Sequence, residues 1–217
     1  MANRLTVAMA WLFAVGSTCF ALGSLPLYFD NVGATVAATT FFVGSLFFTS
    51  AGYIQYYLSI NDAGPRRFLA LRNLTRDALA SGIQSIGTLF FNISTGAALI
   101  ENLTVQQEDR LIWAPDLFGS IAFLISSAIA FSLARHMSPS VAARRAVWWE
   151  GAVNLAGSVA FGLSALGAVV LPTTGEPLNL AIVNAGTFIG ALGFLAGAIL
   201  VLIAAEPARE PRGVHDE

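Results

Sequence analysis

The sequence has no lysine, one cysteine, two histidines and little charge of either sign. Each shortage closes off a class of chemistry. Without lysine there is no Schiff base to a retinal and no phosphate-binding P-loop. The lone Cys19 permits no internal disulfide, and in mid-helix it reads as a small buried hydrophobe. His136 falls in a connection and His215 in the C-terminal tail, so no pair of intramembrane histidines can hold a b-type haem. No cluster of His, Cys and carboxylates stands at metal-ligand spacing, and no nucleophile sits beside a base. The chain therefore reads as non-enzymatic, with no cofactor and no metal. A net charge of −2 gives no reason to expect nucleic acid as a partner.

Apolar residues are what the chain has in quantity. Its 217 residues are 56% hydrophobic and 11% charged, against roughly 25% charged in a soluble domain. Several apolar runs exceed the ~20 residues needed to cross a bilayer. The first, 5–29, is too long for the ~7–15-residue core of a cleavable signal peptide and reads as a retained span. Six helices are expected, at about 5–29, 34–58, 77–100, 111–133, 146–171 and 178–205, with a cytoplasmic tail over 206–217. The expectation is an all-α, polytopic protein of the inner or plasma membrane, organised as one bundle. Between the second and third helices, the arginines and leucines of 66–74 alternate at helical spacing, which suits a short segment at the headgroup level as well as it suits a solvated loop.

Orientation follows from the arginines. Alternating the sides places Arg4, Arg66, Arg67, Arg72, Arg76, Arg135, Arg144, Arg145, Arg209 and Arg212 on one face and only Arg110 on the other. Cytoplasmic loops carry the basic excess, so both termini are expected inside. Trp113, Trp148 and Trp149 fall at helix starts, where aromatic side chains anchor spans at the interface.

One pattern recurs in every helix: glycine, phenylalanine four residues on, and a small residue three after that. It occurs as Gly16/Phe20/Gly23, Gly44/Phe48/Ala51, Gly87/Phe91/Ser94, Gly119/Phe123/Ser126, Gly157/Phe161/Ser164 and Gly190/Phe194/Gly197. Positions i, i+4 and i+7 share one helix face. Small residues let membrane helices approach closely where hydrophobicity cannot drive them together. The six glycines are therefore expected to pack helices, with each phenylalanine filling the space above a glycine on the facing helix. The other reading is that the glycines and hydroxyls line a permeation path. The motif suits three parallel hairpins and an inverted three-plus-three repeat equally well.

Ionisable residues within a span are functional candidates by default. Asp116 and Glu150 qualify, although both fall near a helix start, as do Asp77 and Glu176, where the helix dipole favours a carboxylate. Gln84, Asp116 and Asn154 each stand three residues before a motif glycine. With Asn92 and Asn184 they suit an interhelical hydrogen-bond set. Asp116, Glu150 and Asn154 are the residues nearest any ion or substrate path.

The phrases Val43-Gly44-Ser45-Leu46-Phe47-Phe48, Asp116-Leu117-Phe118-Gly119-Ser120-Ile121-Ala122-Phe123-Leu124 and Asn154-Leu155-Ala156-Gly157-Ser158-Val159-Ala160-Phe161 resemble the Gly-Ser-x-x-Phe phrases of the YrhK-like family of small bacterial membrane proteins. The resemblance spans about a third of the chain. It implies repeated hairpins in a bacterial inner membrane and brings no catalytic residue with it. Two roles lead, ahead of a membrane enzyme acting on lipid, for which only Asp116, Glu150, Arg144 and Arg145 could supply interfacial polar groups. One is a structural membrane protein working through lipid, a protein partner or self-association. The other is a small transporter or channel acting as an oligomer.

Overall fold

A computed structural model describes residues 2–61, 66–135 and 142–205. The tail 206–217 with Arg209, Arg212 and His215, the loop residue His136, and the connection residues 62–65 lie outside the described residues. Six long helices dominate: α1 (Ala2–Gly23), α3 (Ala34–Ile60), α4 (Arg76–Ala97), α6 (Ala114–Ala134), α7 (Ala142–Gly167) and α8 (Leu180–Ala205). The short α2 (Pro26–Val32) and α5 (Val105–Glu108) sit in connections. Among the described residues there is no β-strand, only a single bridge between Val170 and Pro177. Among the described residues, four runs are long and apolar enough to cross a membrane: Arg4–Gly23, Ala34–Ile60, Val105–Ala134 and Leu180–Ala205.

Several boundaries depart from the sequence expectation, each for a local reason. The run expected at 5–29 breaks after Gly23. Pro26 offers no N–H and forces Leu25 into an extended conformation (φ −81°, ψ 121°), so the chain restarts as α2. The polar stretch before residue 111 is already helical from Val105, set by a capping box between Thr104 and Gln107. The last helix begins at Leu180, where the Ile182 amide donates to Asn179 Oδ1 at 3.0 Å. The segment 66–74 forms no helix. It is held instead by Tyr56, whose hydroxyl accepts from the Ala70 amide at 3.0 Å.

The six long helices form a closed ring in chain order: α1–α3–α4–α6–α7–α8 and back to α1. Strict chain order decides the symmetry. An inverted repeat would superpose α1, α3 and α4 on α6, α7 and α8 by a half-turn about an axis across the bundle. That operation reverses the sense of travel around the ring, whereas the ring runs in one sense throughout. Three hairpins remain as the repeat, α1–α3, α4–α6 and α7–α8, about an approximate three-fold axis.

On that axis lie the six motif phenylalanines, each at most 5% exposed. Phe20, Phe91 and Phe161 form one triangle, with ring centroids 6.1, 6.1 and 6.0 Å apart. Phe48, Phe123 and Phe194 form a second, with separations of 6.1, 6.0 and 5.2 Å. Within each hairpin the triangles join at 5.3, 5.0 and 5.8 Å. The result is a trigonal prism of rings, mostly edge-to-face, which suits the positive edge and negative face of each ring.

Glycine makes the prism fit. In α7–α8, a Cβ on Gly157 would lie 2.9 Å from the Gly190 carbonyl oxygen, and one on Gly190 would lie 2.9 Å from the Phe161 ring. Gly16 and Gly44 are paired with Phe48 and Phe20 in the first hairpin, and Gly87 and Gly119 with Phe123 and Phe91 in the second. Each ring thus occupies the space left by the facing glycine.

Hydroxyls stitch neighbouring hairpins together. Ser45 bonds Thr95 at 2.9 Å across α3–α4, and Ser127 bonds Ser158 at 2.8 Å across α6–α7. At the corresponding places in the α8–α1 seam stand Ala191 opposite Ser24 and Ala198 opposite Ser17, neither a hydroxyl pair. Ser17 Oγ accordingly has no partner.

Candidate functional site

The prism separates two sets of cavities. One side holds a cavity of about 300 Å³ to which all six long helices contribute walls. Phe20, Phe91 and Phe161, one triangle of the prism, form its floor. Asp116, Glu108, Ile112 and Trp113 come from a single side of the rod Val105–Ala134.

That rod is locally widened. Asp109–Trp113 is a π-helical turn, and the Ala114 amide bonds back to the Asp109 carbonyl. Pro115 follows directly and has no amide to give to the carbonyl of Leu111, so the ordinary ladder cannot pass this point. The widened turn carries the Trp113 indole into the wall, where its N–H donates to the Ala165 carbonyl at 2.9 Å. Asp116 follows in the next turn. Its carboxylate makes no hydrogen bond or ion pair among the described residues.

On the other side lie two adjoining cavities of about 220 and 20 Å³ that share Gln55, Gln84, Glu150 and Asn154. Asp77 also lines the larger one. The lining here is amide-rich. Gln55 Oε1 and Asn154 Oδ1 are buried without a partner, and Asn154 Oδ1 presses against Gly197. Gln84 Oε1 lies 3.1 Å from the Ser126 hydroxyl. Glu150 has no hydrogen-bond partner among the described residues, and it also borders a crevice of about 230 Å³ between α1, α7 and α8.

The candidates singled out in the sequence therefore divide. Glu150 and Asn154 share one cavity, while Asp116 lies across the prism from them. The expected interhelical hydrogen-bond set forms only in part: Gln84 accepts from Ser126 on α6 and Asn92 donates to Thr49 on α3 at 2.8 Å, while Asp116, Asn154 and Asn184 make no side-chain hydrogen bond among the described residues. Helix-start capping accounts for only one of the four acids. Asp77 stands in the first turn of α4. Asp116 follows an unbroken helical run from Val105, Glu150 lies two turns into α7, and Glu176 precedes α8 altogether. Gln55, Glu108 and Ile112 line cavities without having been singled out. Gln55 carried one usable signal, a lone amide in an apolar run. Trp113, expected as an interfacial anchor, faces the cavity instead.

Set against known proteins, the chain matches no family model, no curated protein and no solved structure.

Proposed function

We propose that the chain is a six-span protein of the cell (inner) membrane, with both termini cytoplasmic, and that it acts as a small non-enzymatic transporter held closed by the phenylalanine prism. One observation carries the reading: two partnerless carboxylates, Asp116 and Glu150, line cavities at opposite ends of one ring-filled axis. Intramembrane acids without a structural role mark ion and substrate paths.

Four apolar runs support a membrane protein directly, and the faces of α4 and α7 support the other two spans. Their polar residues point inward, with Ser81, Gln84, Thr88, Ser94, Thr95, Ser158 and Ser164 all buried. Leu79, Ile86, Leu89 and Ile93 on α4, and Val159, Leu163 and Leu166 on α7, are exposed in lipid-facing fashion. Low average hydropathy in these two helices thus comes from the core side. The arginine excess, ten against one, sets the cytoplasmic face on the Glu150 side. The resemblance to the YrhK-like family, which implies repeated hairpins in a bacterial inner membrane, belongs to this proposal. Lipid is the surrounding partner. The motif glycines are engaged within the bundle, so an oligomer would form through the exposed apolar faces.

The second reading is a scaffold acting through lipid or a protein partner, and the closed prism favours it. Thiol labelling separates the two. In a Cys19→Ser background, Ser164→Cys should react with a membrane-impermeant reagent from outside only, Ala130→Cys from inside only, and Ser120→Cys from neither. Protection of both cavity positions from both sides would remove the transport reading.

A further inference from the structure

We propose that the Asp116 cavity binds a small apolar organic cation, an amine or quaternary ammonium bearing aliphatic or aromatic groups, with Asp116 as its counter-ion. The inference deepens the transport reading and rests on it for the cavity's role as a substrate site.

The lining decides the chemistry. Phe20, Phe41, Phe91, Phe161, Trp113 and Ile112 are the largest apolar side chains of the wall, and its charged side chains are Glu108 and Asp116, with no basic residue among them. An anion would meet two carboxylates and no donor of positive charge. A neutral apolar ligand would leave Asp116 desolvated and unpaired, which is costly. A hard inorganic cation needs about six oxygen ligands, and three of the four wall hydroxyls, Thr95, Ser164 and Thr187, already hold hydrogen bonds, while Ser94 makes none among the described residues. Ser164 bonds Thr187 at 2.8 Å and sits 2.8 Å from the Val183 carbonyl oxygen, while Thr95 donates to the Phe91 carbonyl at 2.7 Å. An organic cation meets both halves of the site. Its charge pairs with Asp116, and its carbon groups lie against aromatic rings, which attract cations. The volume, about 300 Å³, is at the lower end of small-molecule pockets.

The test is calorimetric titration of the purified full chain in detergent with benzyltrimethylammonium, and with neopentylbenzene, its uncharged carbon isostere. The cation should bind saturably, at least tenfold tighter than the isostere. Asp116→Asn should weaken cation binding at least tenfold. Asp30→Asn removes an exposed acid outside the cavity and should leave it unchanged. If Asp116→Asn does not fold, the cation–isostere comparison on the natural sequence decides alone. Equal binding of cation and isostere, undiminished binding in Asp116→Asn, or sodium binding in place of the ammonium would each overturn the proposal. Binding without flux in proteoliposomes would uphold it and remove the transport reading. Flux that depends on Asp116 without ammonium binding would do the opposite.

Discussion

The two ends of the bundle share one plug and differ in nearly everything that touches it. On the Asp116 side the wall is mostly apolar, and its polar side chains are four hydroxyls and two acids. On the Glu150 side it is built from amides, two of which hold buried oxygens without a donor. The prism obeys the six-fold motif, while the cavities are lined chiefly by residues the motif does not specify. Repetition built the seal, and departures from repetition built the places where a ligand can sit.

The strongest way to break this comparison is to attack the seal itself. Gly157→Leu drives a side chain into the Gly190 carbonyl, a backbone atom that cannot swing away, and should abolish the folded bundle in detergent. Gly162→Leu, where a Cβ meets nothing within 4 Å, should melt like the natural protein. Next in size is Phe123→Ala. Phe123, at one corner of the prism, touches four of the five other motif rings. Its loss should cost about 3 kcal/mol in reversible unfolding and join the two cavities, so that Ser120→Cys becomes reactive from both sides. A destabilised but still impermeable variant would show that other residues make the seal.

The acids sharpen the comparison from the other direction. Asp116→Asn and Glu150→Gln each remove a partly buried charge that no protein group offsets, so each should raise stability by about 1 kcal/mol at neutral pH. A fall in melting temperature for either would reveal a structural duty. The smallest expected effect lies at the α8–α1 seam. Ala198→Ser should give Ser17 the partner that Ser127 gives Ser158, a gain of about 0.6 kcal/mol, with Ser127→Ala losing as much. The geometry is supported by the remaining seam, where a Cβ on Gly52 would lie 3.5 Å from Thr88 Cγ2, the same two motif positions.

Much of this was legible in the residues. Six copies of a face-forming motif and the arginine bias pointed to six antiparallel helices, and Asp116 and Glu150 stood out as acids inside apolar runs. Ring closure in chain order was not legible, because a seven-residue motif on one face says which surfaces meet but not which helices. The π-helical turn was hidden for a different reason. The start near residue 111 was read from the end of the polar stretch 101–110, and that start made Asp116 an acid near a helix start, although Pro115 lay in the sequence as a mark of a disturbed helix. Once the helix is seen to run from Val105, the acid needs another explanation. Gln55 and Glu108 were missed because each looks ordinary until the opposite wall is known.

The ring-over-glycine contacts also constrain how such a bundle can move. Within a hairpin, each helix holds a phenylalanine of its partner in a notch with no spare room, in both directions at once. Neither helix can slide or roll without driving a ring into backbone. The three hairpins are thus rigid staves, and any widening of the axis has to come from staves parting at their joints. Of those joints, α3–α4 and α6–α7 are pegged at prism level by Ser45–Thr95 and Ser127–Ser158. The joint where the first stave meets the last has no such peg, which makes it the natural place for the barrel to spring.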